Sequence, residues 1–448
     1  MTDWIEDTVS GLQAQGILRV EDGNHGEYRP RPDEFSTEGV TFVRAADLIE
    51  GVVSFATASK INEIARARIT KGIGKPGDVL ISHKGTVGKI ARAPADAPQF
   101  VCSPQTTFWR STNENVLNQD FLFVLMRSPA FIREFFVTAG ETDMAGYVSL
   151  TSQRRLKLTI PPIAVQRGIS SCISAFDDKI ELNRKMNGTL EAMARALFRD
   201  WFVDFGPTRA KMEGRPAYLS EDLWSLFPDR LDEEGKPVGW EVSNLAAILS
   251  VLETGRRPKG GVAGISSGVP SVGAESIDGV GKFDFAKTKY VSHEFFAKMA
   301  KGHVSEGDVL IYKDGGKPGE LRPSVSYASK GFPFQRFCIN EHVFRARSDR
   351  VDQAFLYCLL STHEAFAQMR ELATGVAQPG LNQAQMGRLS FVLPEDQQLL
   401  DHAASILKTL VDACNVNANE SRTLAQTRDL LLPRLMSGEL QPIELICT

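Results

Sequence analysis

Gly77-Asp-Val-Leu-Ile81 returns letter for letter about 230 residues later as Gly307-Asp-Val-Leu-Ile311. Phe121-Leu-Phe-Val-Leu-Met-Arg-Ser-Pro129 returns at a matching depth as Phe355-Leu-Tyr-Cys-Leu-Leu-Ser-Thr-His363. An internal repeat on this scale sets the architecture of a chain before any single motif does. The sequence therefore predicts an α+β protein of two tandem globules related by pseudo-twofold symmetry.

Each globule is followed by a segment with the heptad periodicity of a long helix. The seam positions of the first segment are Ile169, Ile173, Phe176, Ile180, Asn183, Asn187, Leu190, Ala194, Leu197 and Trp201. Those of the second are Ala403, Leu407, Leu410, Cys414, Asn417, Ser421, Leu424, Arg428, Leu431 and Leu435. Asn183 and Asn417 share one seam position, where a buried amide costs stability but fixes the register of a helix pair. We expect an antiparallel coiled coil; packing of each helix on its own globule is the alternative.

The predicted domain organisation follows from the repeat and the heptads. It comprises a first globule at 1–165, a spacer helix at 166–202, a connector at 203–239, a second globule at 240–394, a second spacer helix at 395–438 and a tail at 439–448. Short apolar runs bounded by Gly, Pro and Asn predict strands in the globules, and one helix is expected over 120–134.

The composition indicates a soluble intracellular protein. The six cysteines are scattered without close pairs, which argues against a zinc ribbon or a disulfide framework. The N-terminus has no apolar run of signal-peptide type, and no stretch approaches a membrane span. We expect a cytoplasmic location and no membrane contact.

The net charge of −4 conceals a strong local division of charge. Residues 1–65 hold five Lys and Arg against twelve Asp and Glu, whereas residues 66–110 hold eight against two. Residues 282–347 hold twelve basic against seven acidic residues. Basic stretches at equivalent places in two repeats suit two stretches of phosphate backbone, although a solvated surface is the plainer interpretation of each alone.

Catalytic motifs are nearly absent. The chain has no G-x-x-x-x-G-K-[ST] nucleotide loop and no Asn-Pro-Pro-aromatic tetrapeptide of amino-methyltransferases. Pro228-Asp229 with Glu234-Gly-Lys236 resembles a metal-nuclease pattern, but these residues are crowded into the polar connector, whereas that chemistry needs strands to fix its ligands. His83, beside Lys84, is expected to lie on the surface.

Taken together, these motifs resemble the DNA-specificity subunits of type I restriction-modification systems, and the resemblance covers nearly the whole chain. Its most specific part is Asp200-Trp-Phe-Val-Asp-Phe205 running into Pro207-Thr-Arg-Ala-Lys211, followed by Leu226-Phe-Pro-Asp229 and Gly239-Trp-Glu241. The second copy departs from this pattern, since Leu435-Met-Ser-Gly-Glu439 replaces the aromatic ending.

The resemblance implies a non-catalytic adaptor that binds double-stranded DNA. Each globule would be a target recognition domain for one half of a split sequence, and the helices would space the two and bind two modification (methyltransferase) subunits. Restriction and translocation subunits would join them. This chain would bind no cofactor; S-adenosylmethionine, ATP and Mg²⁺ would belong to the partners.

Base readout needs side chains with paired donors and acceptors, chiefly Arg or Lys on guanine and Asn or Gln on adenine. Polar residues beside the basic stretches are therefore the candidates. In the first globule they are Lys84, Thr86, Lys89, Arg92, Gln105, Tyr147, Gln153 and Arg154. In the second they are Lys313, Lys317, Arg322, Arg336, Gln378 and Asn382.

Other classes of function stay open at this point. A metal-dependent nuclease would use the Glu234 and Lys236 cluster, and a purely structural coiled-coil scaffold would need no basic stretches. A specificity subunit of an orphan methylation or phage-defence system is also compatible, because the sequence does not reveal the partner enzymes.

Overall fold

The computed structural model describes residues 4–140, 146–317, 319–374 and 379–442. The chain divides into two compact units: unit 1 is Met1–Asp178 with Ala425–Thr448, and unit 2 is Lys179–Leu424. Each unit contains one globule and a stretch of each of two long helices. Across the described residues, no helix is long and apolar enough to cross a membrane.

Unit 1 is a mixed α+β globule, as the sequence predicts. Its strands are β1 (Ile5–Thr8), β2 (Leu18–Asp22), β3 (Phe35–Ser36), β4 (Val40–Val43), β5 (Leu48–Ile49), β6 (Val52–Val53), β7 (Ser59–Ile61), β8 (Ile73–Gly74), β9 (Val79–Ser82), β10 (Ile90–Arg92), β11 (Phe100–Cys102), β12 (Thr106–Ser111) and β13 (Lys157–Ile160). Its helices are α1 (Val9–Ala14), α2 (Glu63–Arg68), α3 (Gln119–Met126), α4 (Pro129–Gly140) and α5 (Leu150–Arg155), followed by the long helix α6 (Ile163–Phe202).

The connector and the second copy contain the remaining elements. They are α7 (Gly206–Met212), α8 (Glu221–Ser225), β14 (Trp240–Asn244), α9 (Leu245–Ile248), β15 (Leu249–Thr254), β16 (Val269–Val272), β17 (Lys289–Val291), α10 (His293–Lys298), β18 (His303–Val304), β19 (Asp308–Tyr312), β20 (Gly316–Lys317), β21 (Glu320–Leu321), β22 (Ser324–Ala328), β23 (Phe337–Ile339), β24 (Val343–Ser348), α11 (Gln353–Leu360), α12 (His363–Leu372), α13 (Gln383–Gly387), β25 (Ser390–Pro394) and the long helix α14 (Gln397–Met436).

The two globules share one strand order around the repeated pentapeptide. In unit 1 the order β2-β12-β9-β10 places β9 in the middle of a sheet, and in unit 2 the order β15-β24-β19-β22 places β19 there. Val79, Leu80 and Ile81 are fully buried, because a central strand with both faces covered is apolar throughout. The acidic residue that precedes them is paired in both copies: Asp78 binds Arg110 at 2.6 Å, and Asp308 binds Arg345 and Arg347.

The helix expected over 120–134 is in fact two helices, so this part of the prediction is wrong. The first, α3, ends at Met126, and the second, α4, begins at Pro129. Proline lacks the N–H that would continue the helical hydrogen bonds, but it is well tolerated in a first turn. The hydroxyl of Ser128 accepts a hydrogen bond from the N–H of Phe131 at 3.3 Å and caps the second helix.

Each long helix packs both on a globule and on the other long helix. In unit 1, Ile169 and Ile173 of α6 join Leu432 and Leu435 of α14 in the core of the globule. In unit 2, the aromatic end of α6 packs on the globule. The ring centroids of Phe202 and Phe355 are 4.9 Å apart, and those of Phe202 and Trp240 are 5.7 Å apart. Burying such a ring stabilises the fold by about 2 to 3 kcal/mol. The predicted α+β class with two long paired helices is therefore confirmed.

Candidate nucleic-acid interface

A short loop follows the repeated pentapeptide in unit 1, and we call residues 83–89 loop A. Its base is fixed by backbone hydrogen bonds from two sides: the N–H of His83 donates to the carbonyl of Gln105, and the N–H of Val148 donates to the carbonyl of His83, both at 2.9 Å. The hydroxyl of Ser82 accepts from the N–H of Lys89 at 2.9 Å and closes the loop. These hydrogen bonds hold the backbone of loop A at both ends, so the loop presents its exposed side chains from a fixed base.

Loop A and its neighbours expose several of the predicted residues. Lys84, Thr86 and Gln105 are exposed, and so is Arg154 on α5. The ammonium nitrogen of Lys84 lies 5.8 Å from the ring centroid of half-buried Tyr147. A cation beside an aromatic face and a nearby amide is a combination that suits contact with phosphate and base edges.

Three predicted residues of the first copy are less available for DNA, because they are buried, half-buried or paired. Gln153 is fully buried, and its amide oxygen accepts from the Thr107 hydroxyl and from the indole N–H of Trp109 at 2.9 and 3.3 Å. Arg92 forms an ion pair with Asp120, and Lys89 is half-buried. Gln153 therefore belongs to the core of the globule, and the structure leaves it no exposed group.

His83 is buried, with 1% of its surface exposed, so the expectation that it lies on the surface is wrong. Both ring nitrogens lack a hydrogen-bond partner among the described residues. Burial lowers the pKa of His83 to about 4, because a low-dielectric site disfavours the imidazolium. The ring is therefore neutral at neutral pH, and its centroid lies 5.9 Å from that of Tyr147.

The second copy repeats the backbone frame of loop A in residues 313–319, which we call loop B; residue 318 lies outside the described chain. The N–H of Leu381 donates to the carbonyl of Lys313 at 3.0 Å, as Val148 does to His83. Asp314 forms an isolated bridge with Gly380, as Lys84 does with Tyr147. The two loops have the same frame but different side chains.

The chemistry of loop B differs from that of loop A. Asp314 accepts from the ammonium group of Lys313 at 2.8 Å and from the Nδ1 of His342 at 2.9 Å, so the charge of Lys313 is partly neutralised. Arg322 is exposed. Arg336 is also exposed, with its guanidinium 4.6 Å from the Phe296 ring centroid.

Three other predicted residues of the second copy give less information. The side chain of Lys317 is not among those described, and Gln378 lies outside the described residues. Asn382 is exposed at the N-terminus of α13, where its amide oxygen accepts from the N–H of Gln385 at 2.9 Å. Asn382 thus caps a short helix.

The seam asparagines lie in the helix pair of unit 2. The amide nitrogen of Asn183 donates to the Glu420 carboxylate at 2.7 Å, to the Ser421 hydroxyl at 3.2 Å and to the Asn417 carbonyl at 3.3 Å. Asn417 donates to the side-chain oxygen of Asn187 at 3.0 Å. The two residues are therefore close but do not pair side chain to side chain, and the heptad pattern alone does not reveal the partner role of Asn187.

The connector residues of the nuclease-like pattern stabilise a turn. The Lys236 ammonium group binds Asp232 at 2.5 Å and Glu234 at 2.8 Å. Asp229 instead binds Lys211 at 3.0 Å. No group of three or more His, Cys, Asp or Glu side chains placed to hold a metal ion occurs within the described part of the chain.

Comparison with known proteins identifies relatives along the whole chain. The family model described as type I restriction modification DNA specificity domain matches residues 34–192. The chain is 24% identical to the type I restriction enzyme HindI specificity subunit of Haemophilus influenzae, over 98% of this chain and 100% of the relative. It is 25% identical to the MjaIX specificity subunit of Methanocaldococcus jannaschii, over 84% and 82%.

The fold also has a solved counterpart. The crystal structure of the type I restriction-modification system S subunit from M. genitalium superposes with a TM-score of 0.56 and 14% sequence identity. The superposition covers 97% of this chain and 96% of that one. The likeness shows that the two chains have a similar fold.

Proposed function

Because the chain belongs to the family of DNA-specificity subunits of type I restriction-modification systems, we propose that it reads a bipartite target, one half-site with each globule. Its relatives are specificity subunits, and the chain is accordingly a non-catalytic subunit for DNA target recognition. The observation that carries the bipartite reading is the repeated loop. Loops A and B stand on the same backbone frame and present different polar side chains.

The shared frame and the different side chains suit two readers of different sequence. A common backbone fixes how each loop meets DNA, whereas the side chains on it decide which base edges are bound. Loop A offers Lys84, Thr86 and Gln105, whereas loop B has Asp314 where Lys84 stands and has exposed Arg322 beside it. The two half-sites would therefore differ in sequence.

The long helices would be the scaffold for two modification subunits. Leu182, Met186 and Met193 of α6 are exposed apolar residues, with exposed fractions of 53%, 41% and 47%. Val416 of α14, which stands at the repeat position of Leu182, is 48% exposed. Leu182 and Val416 are thus exposed apolar side chains at equivalent places on the two helices, which suits two copies of one partner.

The remaining activities would reside on partners. Modification subunits would carry S-adenosylmethionine, and restriction subunits would use ATP and Mg²⁺, all in the cytoplasm. The isolated chain is then expected to show no nuclease activity. Metal-dependent cleavage that disappears in Glu234→Ala or Lys236→Ala would contradict this, although both residues pair with connector neighbours.

The bipartite proposal is tested by scrambling half-sites. Mapping methylated adenines in the source genome gives the target, and the full chain is then titrated with duplexes in which either half is scrambled. Lys84→Ala with Gln105→Ala should weaken binding to the first half-site and reduce the salt slope by about 0.9 for each phosphate that the variant no longer neutralises. Arg322→Ala with Arg336→Ala should act on the second half-site alone.

The controls separate local readout from a general reduction in charge. Lys157→Ala removes an exposed cation from β13 of the same unit and should leave both half-sites unchanged. If either paired variant weakened binding to both half-sites equally, each globule would not read its own half, and the bipartite proposal would fail.

A further inference from the structure

An ion cluster joins the globule of unit 1 to both long helices. Arg127, which ends α3, donates to Asp177 of α6 at 2.5 and 3.3 Å. Arg428 of α14 donates to Oδ1 of the same carboxylate at 2.6 Å. Arg428 also binds the Asp429 carboxylate at 2.8 Å. We call Arg127, Asp177 and Arg428 the joint cluster.

The joint cluster is largely shielded from water. The side chains of Arg127, Asp177 and Arg428 are 23%, 26% and 18% exposed. Burial disfavours the charge of Asp177, but hydrogen bonds from Arg127 and Arg428 outweigh it and hold its pKa below the ordinary value. The carboxylate therefore stays ionised at neutral pH, and its geometry is fixed by charge-assisted hydrogen bonds.

The joint cluster borders the cavity that loop A also borders. A cavity of about 230 Å³ is lined by Arg127 and Arg428 on one side and by Gly88 of loop A on another. Val87 of loop A and neighbouring Ile90 also pack against the apolar core of unit 1. The ion cluster therefore adds a directional connection to the apolar packing that joins the helices to this side of the globule.

The second copy has different chemistry at the same repeat positions. At the spacing that relates Phe121 to Phe355, Arg127 corresponds to Ser361, Asp177 to Val411, and Arg428 to Ala194. All three counterparts are buried in unit 2, and Val411 and Ala194 belong to its main apolar core. At these three positions unit 1 therefore has a directional ionic network, whereas unit 2 has buried uncharged side chains.

We propose that the joint cluster is a positioning site, which holds the globule that carries loop A in one orientation on the long helices of unit 1. The inference rests on the proposed bipartite function. Replacing a buried ion cluster by apolar residues is often neutral or stabilising, so stability alone does not explain ions here. Directional hydrogen bonds define one orientation, whereas apolar packing permits sliding.

The test uses two variants and a matched control. Asp177→Asn removes the central charge and leaves two arginines facing each other. Arg127→Ser with Asp177→Val and Arg428→Ala installs the residues of the second copy. Glu181→Gln, the control, removes a charge from the same helix, where Glu181 forms ion pairs with Arg184 and Lys185 of that helix. Each full chain, assembled with its modification subunits, is titrated with duplexes of varied gap length and scrambled half-sites.

Both variants should lose about tenfold in preference for the authentic gap, the size expected for coupling within one ionic network. Recognition of the second half-site and the behaviour of Glu181→Gln should stay unchanged. The triple variant should melt at or above the temperature of the parent chain, so its weaker gap preference would not come from unfolding.

Two outcomes would overturn the inference and leave the proposed function standing. One is a triple variant that keeps the stability and the gap preference of the parent chain, which would make the cluster purely structural. The other is an Asp177→Asn chain that loses both half-sites equally. If the parent chain itself discriminated neither half-site, the bipartite function would fail and the inference with it.

Discussion

Replacing Asn183 and Asn417 with leucine should stabilise the helix pair of unit 2 and loosen its register. The side-chain oxygen of Asn183 is buried without a hydrogen-bond partner in the described chain, while its nitrogen donates to three acceptors. Asn417 donates to Asn187. An amide in a seam is paired only when the helices are in register, so it selects one alignment at a cost in stability.

The magnitude follows from these interactions. Removing the hydrogen bonds lowers the free energy of unfolding by about 1 kcal/mol each. Removing the buried oxygen that has no partner raises it by about 2 kcal/mol. A leucine at buried position 183 adds about 2 kcal/mol, and one at half-buried position 417 adds about 1 kcal/mol. The balance is about 1 kcal/mol in favour of the variant, a rise in Tm of about 2 to 4 °C for a domain of this size.

The assay combines calorimetry with mapping of methylated targets. We expect a higher Tm and acceptance of more than one gap length. Asn419→Leu, an exposed position on α14 outside the seam, is the control and should change stability by less than about 0.5 kcal/mol. A lower Tm with a single unchanged gap would refute the idea that these amides fix the register of the helix pair at a cost in stability.

Other predictions test the spacer and the core of unit 1. Matched seven-residue insertions in α6 and α14 keep the heptad seam in phase and lengthen each helix by about 10 Å. Methylated targets should then show a gap longer by about three base pairs. An unchanged gap would mean that helix length does not set the distance between the half-sites. Gln153→Met leaves the Trp109 indole N–H without its acceptor and the Thr107 hydroxyl with only the longer bond to the Ile81 carbonyl, and denaturant titration should show a destabilisation of about 2 kcal/mol. Because the pKa of His83 is lowered to about 4, the unfolded chain binds the extra proton first; unit 1 should lose stability as pH falls from about 6.5 towards 4, by up to about 3 kcal/mol. His83→Phe should flatten this pH profile, and an unchanged slope would contradict the assignment.

Much of the architecture was predictable because its signals are local or periodic. The repeated Gly-Asp-Val-Leu-Ile strand and the heptads of the long helices are visible in the sequence, and both correspond to elements of the structure. The break between α3 and α4 is also encoded locally, in Ser128-Pro129, but the apolar pattern that runs across it suggests one helix. There a stop signal of two residues competes with a longer periodic signal, and the stop signal prevails.

The candidate site was harder to predict, because exposure depends on residues that are distant in the chain. Gln153 and Arg154 are neighbours in sequence, yet one is fully buried and the other is exposed. Composition marks both as polar surface residues. Only the packing of α5 against β12 decides that the Gln153 amide faces Thr107 and Trp109.

The sequence by itself determined the duplication, the heptad seam with its asparagines, and the family resemblance, since each depends on residue order along the chain. Tertiary structure alone decided which charges far apart in the sequence are paired. The carboxylate of Asp177 meets one guanidinium from 50 residues before it and another from 251 residues after it, and no periodicity links such positions. Ion pairing depends on distances of a few ångströms in space, and folding fixes those distances.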